Sequence, residues 1–296
     1  MKETGKARLI RSVRVLARII RLRNALITFF GVLVGATLVD TVEVIPMNSD
    51  VMMAGLAAFL IVGGGNTLND FFDYEIDKTN RPDRPIPSGM ISRSDSLMLS
   101  ATLFLVGLGL AKSINRYALI IAITNTLILI LYAKFSKRLL LISNLSISYL
   151  VASIFLFGAV SVSSDINGNT GSIHLATVLF ACAFLMTFAR EIVKDIEDFE
   201  GDRRAYSRTL PIVLGISNAK RITIIFGLTA VVLSLVPLVH SYQTINESIY
   251  GIIIGLADVI FVAALTMYAP LSQKVMVLGM LLSLFGFFFG NIATKI

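Results

Sequence analysis

The sequence predicts an all-α fold: a polytopic membrane protein of nine transmembrane helices built from two related halves. Three observations predict it. Of 296 residues, 55% are hydrophobic and only 15% charged, with a mean hydropathy of +0.80, whereas a soluble domain carries about a quarter charged residues. Apolar runs of roughly 20 residues, the length of helix a bilayer requires, recur along the chain, and the ~10-residue alternating segments of a β-barrel are absent. Finally, one acidic pattern of fixed spacing occurs twice.

The spans are expected in this order. The first, 18–39, follows a basic flank that would suit a secretory leader, but no small-residue cleavage site follows, so a mature helix is expected. The second, 50–70, contains the uncharged run Val51–Leu68 and ends in NDFFDYEID, from Asn69 to Asp77. Spans 95–112 and 115–133 come next, and the basic loop YAKFSKR leads into the fifth, 141–162. The sixth, 172–192, runs into DIEDFEGD. Spans 219–240, 246–269 and 274–293 complete a single transmembrane domain, 1–296, with halves of about 18–140 and 141–270 and the ninth helix left over.

Orientation follows from Lys and Arg, which favour cytoplasmic loops. Of the 26 such residues, all but Lys112, Arg116 and Lys295 fall in the N-terminal tail and first helix start, or in the connections leaving even-numbered spans and the helix ends beside them. The N-terminus and both acidic patterns are therefore expected in the cytoplasm, and the C-terminus outside a cell membrane crossed many times. This topology accounts for the net charge of +7, so no nucleic acid is implied. The lone Cys182 lies within a span, which excludes a disulfide or thiolate cluster in one chain. His174 and His240 lie near outer helix ends and are expected to be interfacial or structural.

The acidic repeat carries the chemistry. Asp70, Asp73 and Asp77 have the spacing D-x2-D-x3-D, and Asp195, Asp198 and Asp202 repeat it 125 residues later. RPIPSG follows the first cluster and RTLPIVLG the second. At 100° per residue, Asp70, Asp73 and Asp77 share an arc of about 60° with Asn66, while Asn69 lies about 40° beyond it. Glu191, Asp195, Asp198 and Asp202 repeat the arrangement. Stacked carboxylates repel, and at helix C-termini the dipole does not relieve them. Hard divalent cations with a preference for oxygen, Mg²⁺ first, would. One cluster reads equally well as a solvated acidic loop; two of equal spacing on matching faces do not.

Basic residues share this side: Arg21 and Arg23, Arg81 and Arg84, Lys134, Lys137 and Arg138, Arg190 and Lys194, then Arg203, Arg204 and Arg208. Each by itself is a topology signal. Together with acidic metal ligands they suit a polyanion such as diphosphate.

NDFFDYEID resembles the N-D-x2-D-x3-D motif of the UbiA superfamily of intramembrane prenyltransferases, and DIEDFEGD resembles its second aspartate motif. The likeness covers nearly the whole chain. Within the superfamily, GNTLNDFFDYEIDKTNRPDRPIPSG, AREIVKDIEDFEGDRR and LYAKFSKRLLLISN are most similar to the archaeal branch. Where relatives often carry Arg-Pro at the start of the first helix, this chain has RLRNAL, with Arg21 and Asn24.

The resemblance implies a cavity at the centre of the fold, facing the cytoplasm, and a polyprenyl diphosphate donor held by two Mg²⁺ ions between the two aspartate helices. Asp73, Asp77, Asp198 and Asp202 would be the catalytic set. The family's ligands are Asn69, Asp73, Asp77, Asp195, Asp198 and Asp202. The helical wheel adds Asn66 and Asp70, and both sets are carried. Arg21, Asn24, Arg84, Tyr132, Lys134, Lys137, Arg138, Asn144, Arg190, Lys194 and Arg208 are the substrate-binding candidates. In the archaeal branch the acceptor would be geranylgeranylglyceryl phosphate, a lipid-like glycerol phosphate attacking through a hydroxyl. No obligatory protein partner is implied, only membrane lipid.

Two other readings stay open here. A relative using an aromatic quinone precursor would share the same aspartates. A cation-coupled transporter would place ionisable residues at mid-membrane, where Asp258 is the one candidate and reads as structural. Gly63–Gly65 is expected to allow close packing or a bend before the first motif.

Overall fold

The apolar runs form helices because a bilayer offers backbone groups no water, so each span must satisfy its own hydrogen bonds. In a computed structural model, residues 5–39, 48–135, 141–162, 170–204, 207–240 and 245–292 are described, and every regular element among them is helical. Among the described residues, eight helices are long and apolar enough to cross a membrane, or nine if one bent pair counts as a single span. The chain divides into two compact units, residues 1–31 with 52–134, and residues 32–51 with 135–296.

The first unit contains α1 (Gly5–Ile19), the start of α2 (Leu22–Thr37), most of α3 (Ser49–Phe72), α4 (Tyr74–Asn80), α5 (Arg93–Ile114) and all but the last residue of α6 (Arg116–Phe135). The first expected span is not one straight helix. Its two segments, Ser12–Ile19 and Leu22–Thr37, meet at 62°. The turn passes through Arg21 at φ 52°, a left-handed conformation that interrupts the helix. Ile19, Ile20 and Ile86 form a buried core against Phe59, Phe71, Tyr74 and Leu103. The Gly63–Gly65 run lies inside unbroken α3 and serves close packing. Ser100 Oγ donates to Gly64 O at 2.8 Å. A Cβ at Gly64 would lie 3.1 Å from the Phe104 ring, and one at Gly65 would lie 2.8 Å from Leu129. Without these glycines α5 and α6 could not approach α3 so closely.

The second unit contains the end of α2 and the start of α3, then α7 (Ile142–Val162), α8 (Thr170–Glu197), α9 (Phe199–Arg204), α10 (Leu210–Leu214), α11 (Ile216–Ser234), α12 (Val236–Val239), α13 (Glu247–Thr266) and α14 (Ala269–Ile292). The sixth expected span extends through α8 to Glu197, which brings Asp195 inside the helix. The seventh breaks at Leu235, ahead of Pro237, whose ring cannot donate to the helical ladder. Leu38, Phe155, Leu175, Leu179, Ile254 and Phe287 are central to the core, where Tyr250 and Phe287 meet edge to face at 5.1 Å. Asp258 is buried on α13 and accepts from Ser234 Oγ of α11 at 2.9 Å. Ser234 O in turn accepts from Tyr250 OH at 2.7 Å. Asp258 thus pairs with a neighbouring helix, beside an apolar cavity of about 110 Å³ that Cys182, Met186, Phe261 and Leu284 help to line.

Candidate functional site

Both acidic patterns fold in the same local way. Asp73 interrupts the helix between α3 and α4, and Asp198 interrupts it between α8 and α9. The i−4 ladder nonetheless continues through each break: Asp73 N to Asn69 O at 2.9 Å and Asp77 N to Asp73 O at 2.8 Å, then Asp198 N to Lys194 O and Asp202 N to Asp198 O, both at 2.9 Å. Asp73 sits at φ −80°, ψ 0°, the sparsely populated bridge region in which active-site residues are often found. The middle aspartate of each repeat therefore marks the joint between a long apolar helix and a short polar extension.

In the first cluster the side chains separate into two groups. Asp70 and Asp77 are buried, with residue exposures of 3% and 4%. Arg84 Nη1 joins them, at 3.2 Å from Asp70 Oδ1 and 2.6 Å from Asp77 Oδ2. Arg21 Nη2 reaches the same Asp70 oxygen at 2.8 Å. The half-buried Asp73 instead accepts from Asn69 Nδ2 at 3.1 Å. Asn66 donates to Ile20 O at 3.0 Å, tying α3 to the α1–α2 turn.

In the second cluster, Asp195 Oδ2 accepts from Asn144 Nδ2 at 2.8 Å, and Asn144 is itself buried. Glu191, also buried, pairs with Arg190 at 3.0 Å and Lys194 at 3.7 Å. Asp198 is exposed and Asp202 half-buried. Burial, and then the neighbouring Asp198 carboxylate, push the Asp202 pKa above its ordinary value.

These placements give the geometry of the expected ligand stripes. Among the described residues, no three His, Cys, Asp or Glu side chains stand together as a group that could hold a metal. The wheel assumed one continuous helix through Asp77, whereas the chain breaks at Asp73 and Arg84 draws Asp70 and Asp77 together. Asn66 faces the α1–α2 turn through its amide, and the Asn144 amide donates to Asp195. Asn24, Lys134, Lys194 and Arg208 are exposed, while Tyr132 and Arg190 are half-buried. Lys137 and Arg138 lie outside the described residues. Sequence reasoning missed the bridging of Asp70 and Asp77 by Arg84 and the pairing of Asn144 with Asp195. A buried carboxylate demands a partner, but nothing in the sequence says which.

Comparison with known proteins places this geometry in context. The profile of the UbiA prenyltransferase family matches residues 24–276. A digeranylgeranylglyceryl phosphate synthase from Methanosphaera stadtmanae is 40% identical over 82% of this chain and 84% of its own. That of Methanosarcina mazei is 39% identical over 86% and 88%. A solved structure concerning digeranylgeranylglyceryl phosphate synthase in membranes superposes with a TM-score of 0.85 at 32% identity, covering 95% of this chain and 99% of that one. A UbiA homolog from Archaeoglobus fulgidus, bound to DMAPP and Mg²⁺, shares the fold, with a TM-score of 0.69 at 16% identity over 94% and 99% of the two chains.

Proposed function

The chain belongs to the UbiA prenyltransferase family, and on that premise we propose that it transfers a geranylgeranyl group from its diphosphate to a hydroxyl of geranylgeranylglyceryl phosphate. The observation that carries this reading is an identity of about 40% to enzymes of that one activity, over more than four fifths of the chain. The repeated joint at Asp73 and Asp198 supports a chain built of two related halves, each supplying one acidic helix end.

In the reaction the allylic C–O bond of the donor breaks, and its electron pair leaves on the diphosphate. The acceptor hydroxyl oxygen forms a new bond to C1 and gives up its proton, which yields an ether. Asp73, Asp77, Asp198 and Asp202 offer hard carboxylate oxygens that suit Mg²⁺. Such an ion is commonly held by one or two carboxylates together with substrate phosphates rather than by an all-protein cage, which accords with clusters that form no cage of their own. Two bound Mg²⁺ ions would offset the charge that develops on the departing diphosphate.

The residues of the chain do the rest. Arg84 and Arg21 present guanidinium donors to anionic oxygens. Lys134, with Lys137 and Arg138, seats the phosphate of the acceptor. Apolar side chains of the spans keep water from the allylic carbon, so the acceptor is captured in preference to solvent. Both acidic ends face the cytoplasm, the N-terminus lies on the same side and the C-terminus outside.

The test supplies labelled geranylgeranyl diphosphate and Mg²⁺ with a panel of glycerol-phosphate and aromatic acceptors, followed by product identification. Ether formation with geranylgeranylglyceryl phosphate is expected. Faster turnover of an uncharged aromatic acceptor would replace this reading with a quinone-type one. Ion-driven uptake into proteoliposomes, without transfer to any acceptor, would point to a transporter.

A further inference from the structure

Asp70 belongs to the acidic set from which metal ligands are drawn, yet its surroundings are those of an anchor for cations. Its side chain is 4% exposed, and its Oδ1 accepts from Arg21 Nη2 at 2.8 Å and Arg84 Nη1 at 3.2 Å. Arg84 Nη1 also holds Asp77 Oδ2 at 2.6 Å. Two buried carboxylates are thus balanced by two guanidinium groups, Arg84 largely shielded and Arg21 part-exposed. A divalent cation beside Asp70 Oδ1 would have to approach two positive charges already in contact with it, and low hydration strengthens that repulsion.

Each arginine uses a single nitrogen on these carboxylates. A guanidinium carries five N–H donors in a planar fork, so most remain for an anion, in the geometry that matches phosphate oxygens. The backbone supplies a second observation. Arg21 has a positive φ of 52°, a conformation that persists only where the surrounding structure over-determines it, and its ion pair with Asp70 is such a constraint.

We propose that Asp70 is a positioning residue and not a metal ligand: its carboxylate aims the Arg21 and Arg84 guanidinium groups at the phosphate oxygens of the donor. This rests on the prenyl-transfer reading above. It divides the first acidic pattern by role, leaving Asp73 and Asp77 for the metal and making Asp70, which meets both Arg21 and Arg84, the base on which the two arginines stand. Asp70 Oδ1 holds both arginines at once, so loss of its charge disturbs them together.

The experiment uses the full chain in detergent with inorganic diphosphate and Mn²⁺ as probes. Free Mn²⁺ is followed by its paramagnetic resonance at saturating diphosphate, and diphosphate affinity is followed at saturating Mn²⁺. In Asp70→Asn, diphosphate affinity should fall about ten- to a hundredfold, as for one lost charge-assisted contact, while Mn²⁺ affinity stays within about twofold of wild type. Arg84→Gln should give the same signature. The double variant should lose less than the product of the two single losses, because the residues act as one unit.

Asp70→Asn leaves two arginines uncompensated and can fail to fold; the charge-balanced double variant then carries the metal measurement. A tenfold loss of Mn²⁺ affinity in either variant overturns the proposal and restores Asp70 as a ligand. Unchanged diphosphate affinity in Asp70→Asn overturns it as well. Failure of the wild-type protein to bind Mn²⁺ and diphosphate together counts instead against the prenyl-transfer reading.

Discussion

Replacing Gly158 with alanine tests how α2 and α7 are held together in the second unit. A Cβ at Gly158 would run into Val32 O and lie 2.8 Å from Ala36 N; a Cβ at Gly35 would run into Phe155 O and lie 2.7 Å from Phe155 Cα. Ordinary carbon contacts begin near 3.5 Å, so the helices must part by roughly 1 Å or more. The obstructing atoms are backbone, which cannot rotate aside as a side chain does. Overpacking of this kind costs about 1–3 kcal/mol. In a membrane, close approach of small residues is a main source of helix association, so parting α2 from α7 also weakens the packing that holds them together.

For a chain of this size, 1 kcal/mol corresponds to roughly 2–4 °C, so Gly158→Ala should unfold on the order of 5–10 °C below wild type. The measurement is the temperature at which the detergent-solubilised protein loses its monodisperse fraction. Gly35→Ala should behave alike, and the double variant should lose less than the sum, because one separation of the helices relieves both clashes. Gly109→Ala is the control: nothing lies within 4 Å of its Cβ, and alanine is the better helix former by about 0.5–1 kcal/mol. Equal unfolding temperatures for Gly158→Ala and Gly109→Ala would refute the proposed interlock of the two backbones.

Asp73→Ala and Asp198→Ala should each abolish prenyl transfer, as should excess EDTA, while stability changes by about 1 kcal/mol or less because neither side chain is fully buried; a near-normal rate in either variant moves the metal site elsewhere. Asn144→Ala should destabilise by roughly 1.5–3 kcal/mol through loss of its bond to the Asp195 carboxylate, and an unchanged unfolding temperature would mean that water replaces the amide at no cost. In a Cys182→Ser background, single cysteines at Ser88 and Ser207 should react with an impermeant reagent only from the cytoplasmic side; labelling from outside intact cells inverts the topology. Replacing Lys137 and Arg138 with Gln should raise the acceptor KM about ten- to a hundredfold, with the donor KM little changed; the opposite pattern would assign these residues to the diphosphate.

Hydropathy and spacing by themselves determined that this chain crosses a membrane as helices, where its spans lie to within a few residues, and that two acidic ends share one pattern. Those features are local: helical periodicity and apolar run length are written in consecutive residues, and a bilayer leaves the backbone few alternatives. The repeat at Asp73 and Asp198 was legible for the same reason, whereas Gly63–Gly65 read as close packing or a bend until the unbroken α3 decided for packing. What only the tertiary structure decided are the partnerships. Arg21 meets Asp70 across 49 residues of sequence, Asn144 meets Asp195 across 51, and Gly35 interlocks with α7. The wheel placed Asp70, Asp73 and Asp77 on one face but could not foresee the break at Asp73, nor that Arg84 would return from the following loop to neutralise two of the three. Periodicity tells which face of a helix a side chain occupies. Which group neutralises a buried charge depends on the path of the backbone between the two, and that path is settled only when the helices pack.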